Sequence, residues 1–216
     1  SRGKGLDYSA FSVFDITKMP YSQVAAFKDN MISPMDYASV IYRMSRMYND
    51  AYILVEINDI GGQVGESLIH DFECETLLST QSQGRAGKVI SSGYGKNVDS
   101  GIRTTKTVKN LGCNNLKMLI EQDQLIINDF DTINELSTFS KKGLSFEAES
   151  GAHDDLVMGC VLFAWLTNQL FFKELTDINT LDMLRQRSEE DVMNDLMPFG
   201  FYDDGMESDS EQTLFF

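Results

Sequence analysis

The residues best placed to do chemistry are Ala152-His153-Asp154-Asp155-Leu156, which open the longest apolar run in the chain. Two carboxylates and an imidazole stand before a segment made mostly of Leu, Val, Met, Cys, Phe and Trp through Leu166. Carboxylates in a first helical turn accept from free N–H groups and meet the positive end of the helix dipole, so an isolated Asp-Asp pair reads as a cap. The same pair reads as a source of metal ligands if other carboxylates reach the same place. Glu56 is one companion: it closes the apolar run Ala51-Tyr52-Ile53-Leu54-Val55, where a charge is costly unless it sits at a strand end or is paired. A strand end can simply face solvent, but ligand sites in α/β sheets also gather at those ends. Asp7 is a third acid, in a Gly-rich turn just before a strand; alone it reads as an ordinary turn residue. Three separated acids can converge on hard divalent cations. Mg²⁺ takes a few carboxylate oxygens, keeps several waters and leaves positions open for phosphate. Two such ions activate water and stabilise the leaving oxygen in phosphodiester cleavage.

Other chemistries find less support. The only histidines are His70 and His153, too few for a His-rich zinc site, and no Ser-His-Asp arrangement has supporting context. The glycines of Gly84–Gly95 and Lys88 do not follow the order of a phosphate-binding loop, so no ATPase is expected in this chain. Cys74, Cys113 and Cys160 are odd in number and lack metal-ligand spacing, which reads as free thiols in an intracellular protein. No stretch reads as a signal peptide, and Leu156–Leu166 is too short for a bilayer, so no membrane partner is expected.

The elements that must hold these acids follow from pattern. Tyr8–Ile16 and Gln23–Asp29 read as strands of an antiparallel meander. Ser33-Pro34 starts a helix to about Asn49, with Ser at N-cap and Pro at N1. Ala51–Ile57 suits a central buried strand, followed by a helix over about Gln63–Asp71 and a short strand over about Glu75–Leu78. Residues Ser79–Ser100, rich in Ser, Gly and Gln, read as a long mobile loop or hairpin. A helix over Thr104–Gln122, an edge strand at Leu125–Asn128, a short helix over Asp131–Thr138 and a hairpin over Phe139–Phe146 complete the middle. The apolar helix then runs to about Lys173, and an amphipathic acidic helix covers Thr180–Leu196. The βαβαβ rhythm predicts a mixed α/β sheet covered by helices. Residues 1–200 are expected to form one domain and residues 201–216 an acidic flexible tail. The Ser1-Arg2-Gly3 start reads as a piece of a longer protein.

The net charge of −15 argues, as a total, against nucleic acid. Its distribution argues the other way. From Gln83 to Lys117 the charged residues are Arg85, Lys88, Lys96, Arg103, Lys106, Lys109 and Lys117, against Asp99 alone. Phosphate contacts depend on the local field, so Arg85–Lys109 is a candidate grip on a DNA backbone, with Lys141 and Lys142 on the hairpin as further candidates. The alternative is a solvated loop with scattered lysines.

The series Gly3-Lys4-Gly5-Leu6-Asp7-Tyr8-Ser9-Ala10-Phe11, then Leu54-Val55-Glu56, then His153-Asp154-Asp155-Leu156-Val157 resembles the C-terminal nuclease domain of the large terminase subunit of T-even-type tailed phages. The resemblance covers most of the chain and rests on order and spacing more than on any single motif. It implies a ribonuclease-H-like, resolvase-type α/β fold and a Mg²⁺-dependent endonuclease, with Mn²⁺ able to substitute. It also implies little sequence preference and the cutting of concatemeric double-stranded phage DNA for headful packaging in the host cytoplasm. The implied partners are an N-terminal ATPase domain of the same protein, the portal protein and the small terminase subunit. Glu56 and Asp154 match the family's strand-end and helix-start acids, Asp155 is a further metal candidate, and Asp7 matches an assisting acid. The family's principal Asp falls upstream of Ser1. Without that residue, a DNA-gripping module with weak or no cleavage is the first alternative and a Holliday-junction resolvase the second.

Overall fold

Aromatic alternation sets the first pair of strands. In a computed structural model, Phe11 on Ser9–Asp15 (β1) lies directly across from Phe27 on Tyr21–Asp29 (β2), with stacked rings 5.2 Å apart. Phe14, on the other face of β1, stacks on Phe163 at 4.0 Å. Alternate residues thus feed two packing layers, as strand geometry requires. The structure describes residues 8–58, 60–81, 88–90, 98–143, 145–178, 181 and 184. The further elements in chain order are α1 (Pro34–Met47), α2 (Gly61–His70), β3 (Ser79–Gln81), β4 (Lys88–Ile90), β5 (Val98–Asp99), α3 (Lys106–Glu121), β6 (Leu125–Ile126), α4 (Phe130–Thr138), β7 (Phe139–Lys142), β8 (Ser145–Ala148), α5 (Asp155–Thr167) and α6 (Leu170–Ile178). The chain divides into two compact units, Ser1–Asp177 and Ile178–Phe216, and all these elements except the last residue of α6 belong to the first. Apart from Leu181 and Leu184, the expected Thr180–Leu196 helix and the acidic tail lie outside the described residues.

The strands are split more than the sequence predicts. One sheet has the order β1-β2-β6, with β6 parallel to β2, and a second has the order β4-β3-β5, both pairings antiparallel. The expected central strand Ala51–Ile57 is an extended segment held by two isolated parallel bridges, Ile53 to Leu77 and Glu56 to Ile102. Its hydrogen bonds are shared between two short partners, residues 76–78 and Ile102, so no single ladder runs its length. Both faces are nonetheless covered, which accounts for its continuous apolar sequence. Ile53, Val55 and Ile57 pack with Ala38 of α1 and Val64 and Leu68 of α2, while Leu54 packs towards Val108, Leu162 and Trp165.

Two further expectations change, and one resolves between its alternatives. Of the loop or hairpin expected over Ser79–Ser100, the described strands β3 and β4 form an antiparallel hairpin pair, with β5 on the other side of β3. Thr80 is buried there and donates to the Gly101 carbonyl at 2.6 Å, an anchor that the polar composition hides. The strand expected at Glu75–Leu78 begins at Ser79, and Leu77 contributes only a bridge. The apolar helix stops at Thr167 and resumes as α6 after a 78° bend. Asn115 of α3 donates to Ala164 O and Thr167 Oγ1 at the end of α5. The bend brings Phe172 edge-on to Phe163 and Tyr21, at 6.0 and 5.5 Å. In a straight helix, residues nine apart would point roughly 180° from each other. No single helix among the described residues is long and apolar enough to cross a membrane.

Candidate active site

α5 is the anchor of the site. Eight of its residues are buried, among them Val157, Cys160, Val161, Ala164 and Trp165. Each large apolar side chain contributes about 1.5–3 kcal/mol when buried, so the start of the helix is held firmly in the core. Asp154 is its N-cap, yet the carboxylate makes no capping hydrogen bond to the helix. Its Oδ2 instead lies 3.6 Å from Lys109 Nζ of α3. Asp155 stands in the first turn with Oδ2 3.9 Å from His153 Nδ1. Burial pushes the phenol of Tyr37 upward, and the charge of Asp155 adds to the shift. The same phenol donates to the Ala10 carbonyl of β1 at 2.6 Å.

Glu56 reaches this region by alternation. Leu54 faces the α3 and α5 side chains, so two residues on Glu56 takes the same face. Its Oε1 accepts from Asn58 Nδ2 at 3.1 Å, and that amide also donates to the Thr104 carbonyl at 3.2 Å. Thr105 caps α3 by accepting from Val108 N, and Lys109 lies one turn further on. Glu56 and Asp154 are therefore tied to one short stretch, Glu56 through Asn58 and Thr104, Asp154 through Lys109. Gly101 sets the approach of the Glu56 segment to Ile102. Its φ is +126°, and a Cβ there would stand 2.4 Å from Val55 O. Within the same stretch, Thr104 Oγ1 is buried with no hydrogen-bond partner. Among the described residues no three His, Cys, Asp or Glu side chains close on a point that could hold a metal ion. Asp7 lies outside the described residues.

The basic candidates divide. Arg85 and Lys96 lie outside the described residues, while Lys88 is exposed on β4 and Lys106 on the first turn of α3. Arg103, 63% exposed, pairs with Asp99 at 3.5 Å. Lys109 is only 20% exposed and is held by Asp154 and the face of Phe139, 5.6 Å from the ring centroid. It therefore lies within the candidate site and not on an open surface. Lys141 and Lys142 are exposed on β7, with Lys142 donating to Ala148 O at 2.6 Å. Sequence reasoning missed Asn58, Tyr37 and Glu135, a buried acid of α4 that bonds the start of α5. No neighbouring residue in the sequence marks Glu135 as different from a surface helix acid.

Strands covered by α1 and α2 on one face and by α3 and α5 on the other, with acids at a strand end and a helix start, define a mixed α/β domain of the ribonuclease-H-like class. The chain belongs to the family described as the terminase RNaseH-like domain, which it matches over residues 1–164. It is similar in fold to the large terminase nuclease from the thermophilic phage G20c with bound magnesium. That match has 22% identity and a TM-score of 0.55, and covers 77% of each chain. The same nuclease with bound cobalt matches at 21% identity and a TM-score of 0.54, over 75% of this chain and 76% of that one.

Proposed function

We propose that this domain is a divalent-metal-dependent endonuclease that cuts double-stranded DNA, with Glu56 and Asp154 as its principal ligands among the described residues. The observation that carries the reading is that the Asp154 carboxylate makes no bond to its own helix and faces Lys109 instead. A capping Asp normally spends its side chain on its own helix, and this one does not. Family membership and the magnesium and cobalt bound by the G20c nuclease support a metal role for these acids. The donor set fits a hard cation: Glu56 and Asp154 offer oxygen only, and the orphaned Thr104 hydroxyl could bond to coordinated water. Asp155 and Asp7 complete the proposed set. Two Mg²⁺ ions bound there would lower the pKa of an attacking water and stabilise the leaving oxygen.

The chain's own residues supply position and charge. Asn58 fixes the Glu56 carboxylate, and the buried α5 fixes Asp154. Lys109 balances Asp154 and stands ready to face a phosphate once a cation takes that carboxylate. Lys88, Arg103, Lys106, Lys141 and Lys142 hold the backbone of the duplex, as do Arg85 and Lys96, without reading its sequence. The biological setting is part of the same proposal. It comprises headful cutting of concatemeric DNA in the host cytoplasm by a T-even-type terminase, alongside an ATPase domain, the portal and the small subunit.

The test is plasmid nicking with Mg²⁺ or Mn²⁺. Cleavage is expected to fall at least about 100-fold in Glu56→Ala and Asp154→Ala, beyond the roughly 10–100-fold cost of losing a partner that only orients a ligand. Intact cleavage in both variants would show the site to be wrong. Metal-dependent DNA binding without any cutting would leave a DNA-gripping module, and a strong preference for branched substrates a resolvase.

A further inference from the structure

The first N–H groups of α5 are bonded, but not by the capping residue. With Asp154 at N-cap, Leu156 and Val157 carry amides that no carbonyl of the helix can reach. Both point at Glu135 Oε2, at 2.8 Å from Leu156 N and 3.3 Å from Val157 N. Glu135 is 6% exposed and comes from α4, a helix that has its own cap in Asp129. Its second oxygen, Oε1, is bonded by Lys28 Nζ of β2. Lys28 also sits over the Tyr8 ring, 4.3 Å from the centroid, and Tyr8 meets His153 edge-on at 4.9 Å.

An Asp at N-cap and a neighbouring acid compete for the same two amides. If Asp154 capped its own helix, its oxygens would turn onto the Leu156 and Val157 N–H groups and be withdrawn from Lys109 and from any cation. Glu135 has taken those donors. We propose that Glu135 is a positioning residue: it caps α5 from outside, and by doing so keeps the Asp154 carboxylate turned out as a metal ligand. This inference rests on the nuclease reading above and adds a residue to it. Lys28 is required because a buried carboxylate needs its charge matched.

The experiment separates the cap from the charge. Two double variants remove the ion pair altogether, Glu135→Gln with Lys28→Met and Glu135→Met with Lys28→Met. They differ only in whether an oxygen remains to accept from α5. Binding of Mn²⁺ to the whole chain is measured by calorimetry, with Asp154→Ala as reference. Asp154→Ala is expected to lose binding. The Glu135→Met pair is expected to bind at least about tenfold more weakly than the Glu135→Gln pair, the size found for partners that orient ligands. A purely structural role for Glu135 would move the melting temperature and leave the metal affinities of the two pairs alike. Equal affinities, with Asp154→Ala impaired, would overturn the cap. Full binding by Asp154→Ala would overturn the nuclease reading itself. Should either pair fail to fold, amide exchange in the unaltered protein decides. Leu156 and Val157 are expected to be protected at least about tenfold over the first-turn amides of α3 that lack a side-chain acceptor. Equal exchange would refute the assignment.

Discussion

Gly112 and Gly159 make a paired test of how the active-site helices are brought together. Both lie inside helices, where replacing Gly by Ala gains about 1 kcal/mol from conformational freedom alone. Their surroundings differ. A Cβ on Gly112 of α3 would stand 2.4 Å from Val161 O and 2.7 Å from Val161 Cγ1 of α5. A backbone carbonyl in the middle of a buried helix cannot step aside, so the helices must separate. Overpacking of this kind costs about 1–3 kcal/mol. On Gly159 of α5 the nearest atoms are Ser12 N and Oγ, both at 3.9 Å, which is ordinary contact. Gly112→Ala is therefore expected to be destabilised by up to about 2 kcal/mol, and Gly159→Ala to be stabilised by up to about 1 kcal/mol. For a domain of this size each kcal/mol shifts the melting temperature by about 2–4 °C. Thermal unfolding followed by circular dichroism in chelator reads both. A melting temperature for Gly112→Ala at or above that of the unaltered protein would refute the close contact of α3 and α5. That contact is also what carries Lys109 to Asp154, three residues before the glycine, so Gly112→Ala should weaken metal-dependent cutting as well.

Three shorter predictions follow from charge and burial. Burial pushes the Cys160 thiol from its ordinary 9.0 up to about 12 and that of Cys113 up to about 11. Both groups are raised on folding, so their contribution to stability is intact below about pH 9 and is lost as pH rises through that window. Melting temperatures should therefore fall between pH 9 and 11, less steeply in Cys160→Ala, and Cys74 should be the first thiol alkylated in the native protein. Lys109→Met is expected to tighten Mn²⁺ binding several-fold, by removing a like charge beside Asp154, while slowing DNA cutting. Faster cutting together with tighter binding would contradict its proposed role. The paired change Lys141→Ala and Lys142→Ala should weaken DNA binding uniformly across sequences and lower the salt slope by about 1–2, read by fluorescence anisotropy at several salt concentrations.

How much of the fold and the site is legible in the sequence depends on how local each signal is. The Ser33-Pro34 helix start, the β1 and β2 alternation and the hairpin turning at Gly143 are set by adjacent residues, and the structure follows them closely. The central segment departs from expectation because its bridges to Leu77 and Ile102 are set by distant partners, while its apolar sequence reports only that both faces are covered. The bend after Thr167 is hidden for the same reason: Asn115 and the seat of Phe172 are tertiary facts. The acids show the limit most clearly. From the sequence, a helix-start Asp reads as a cap, and only the resemblance over His153–Val157 favours Asp154 as a ligand. What separates the two readings is whether another group has already taken the amides of α5. That group is Glu135, 19 positions earlier in the chain, joined to the helix only by the fold and balanced by Lys28 from β2. The choice between structural cap and candidate ligand is thus made by a residue whose own sequence context says nothing of metal chemistry.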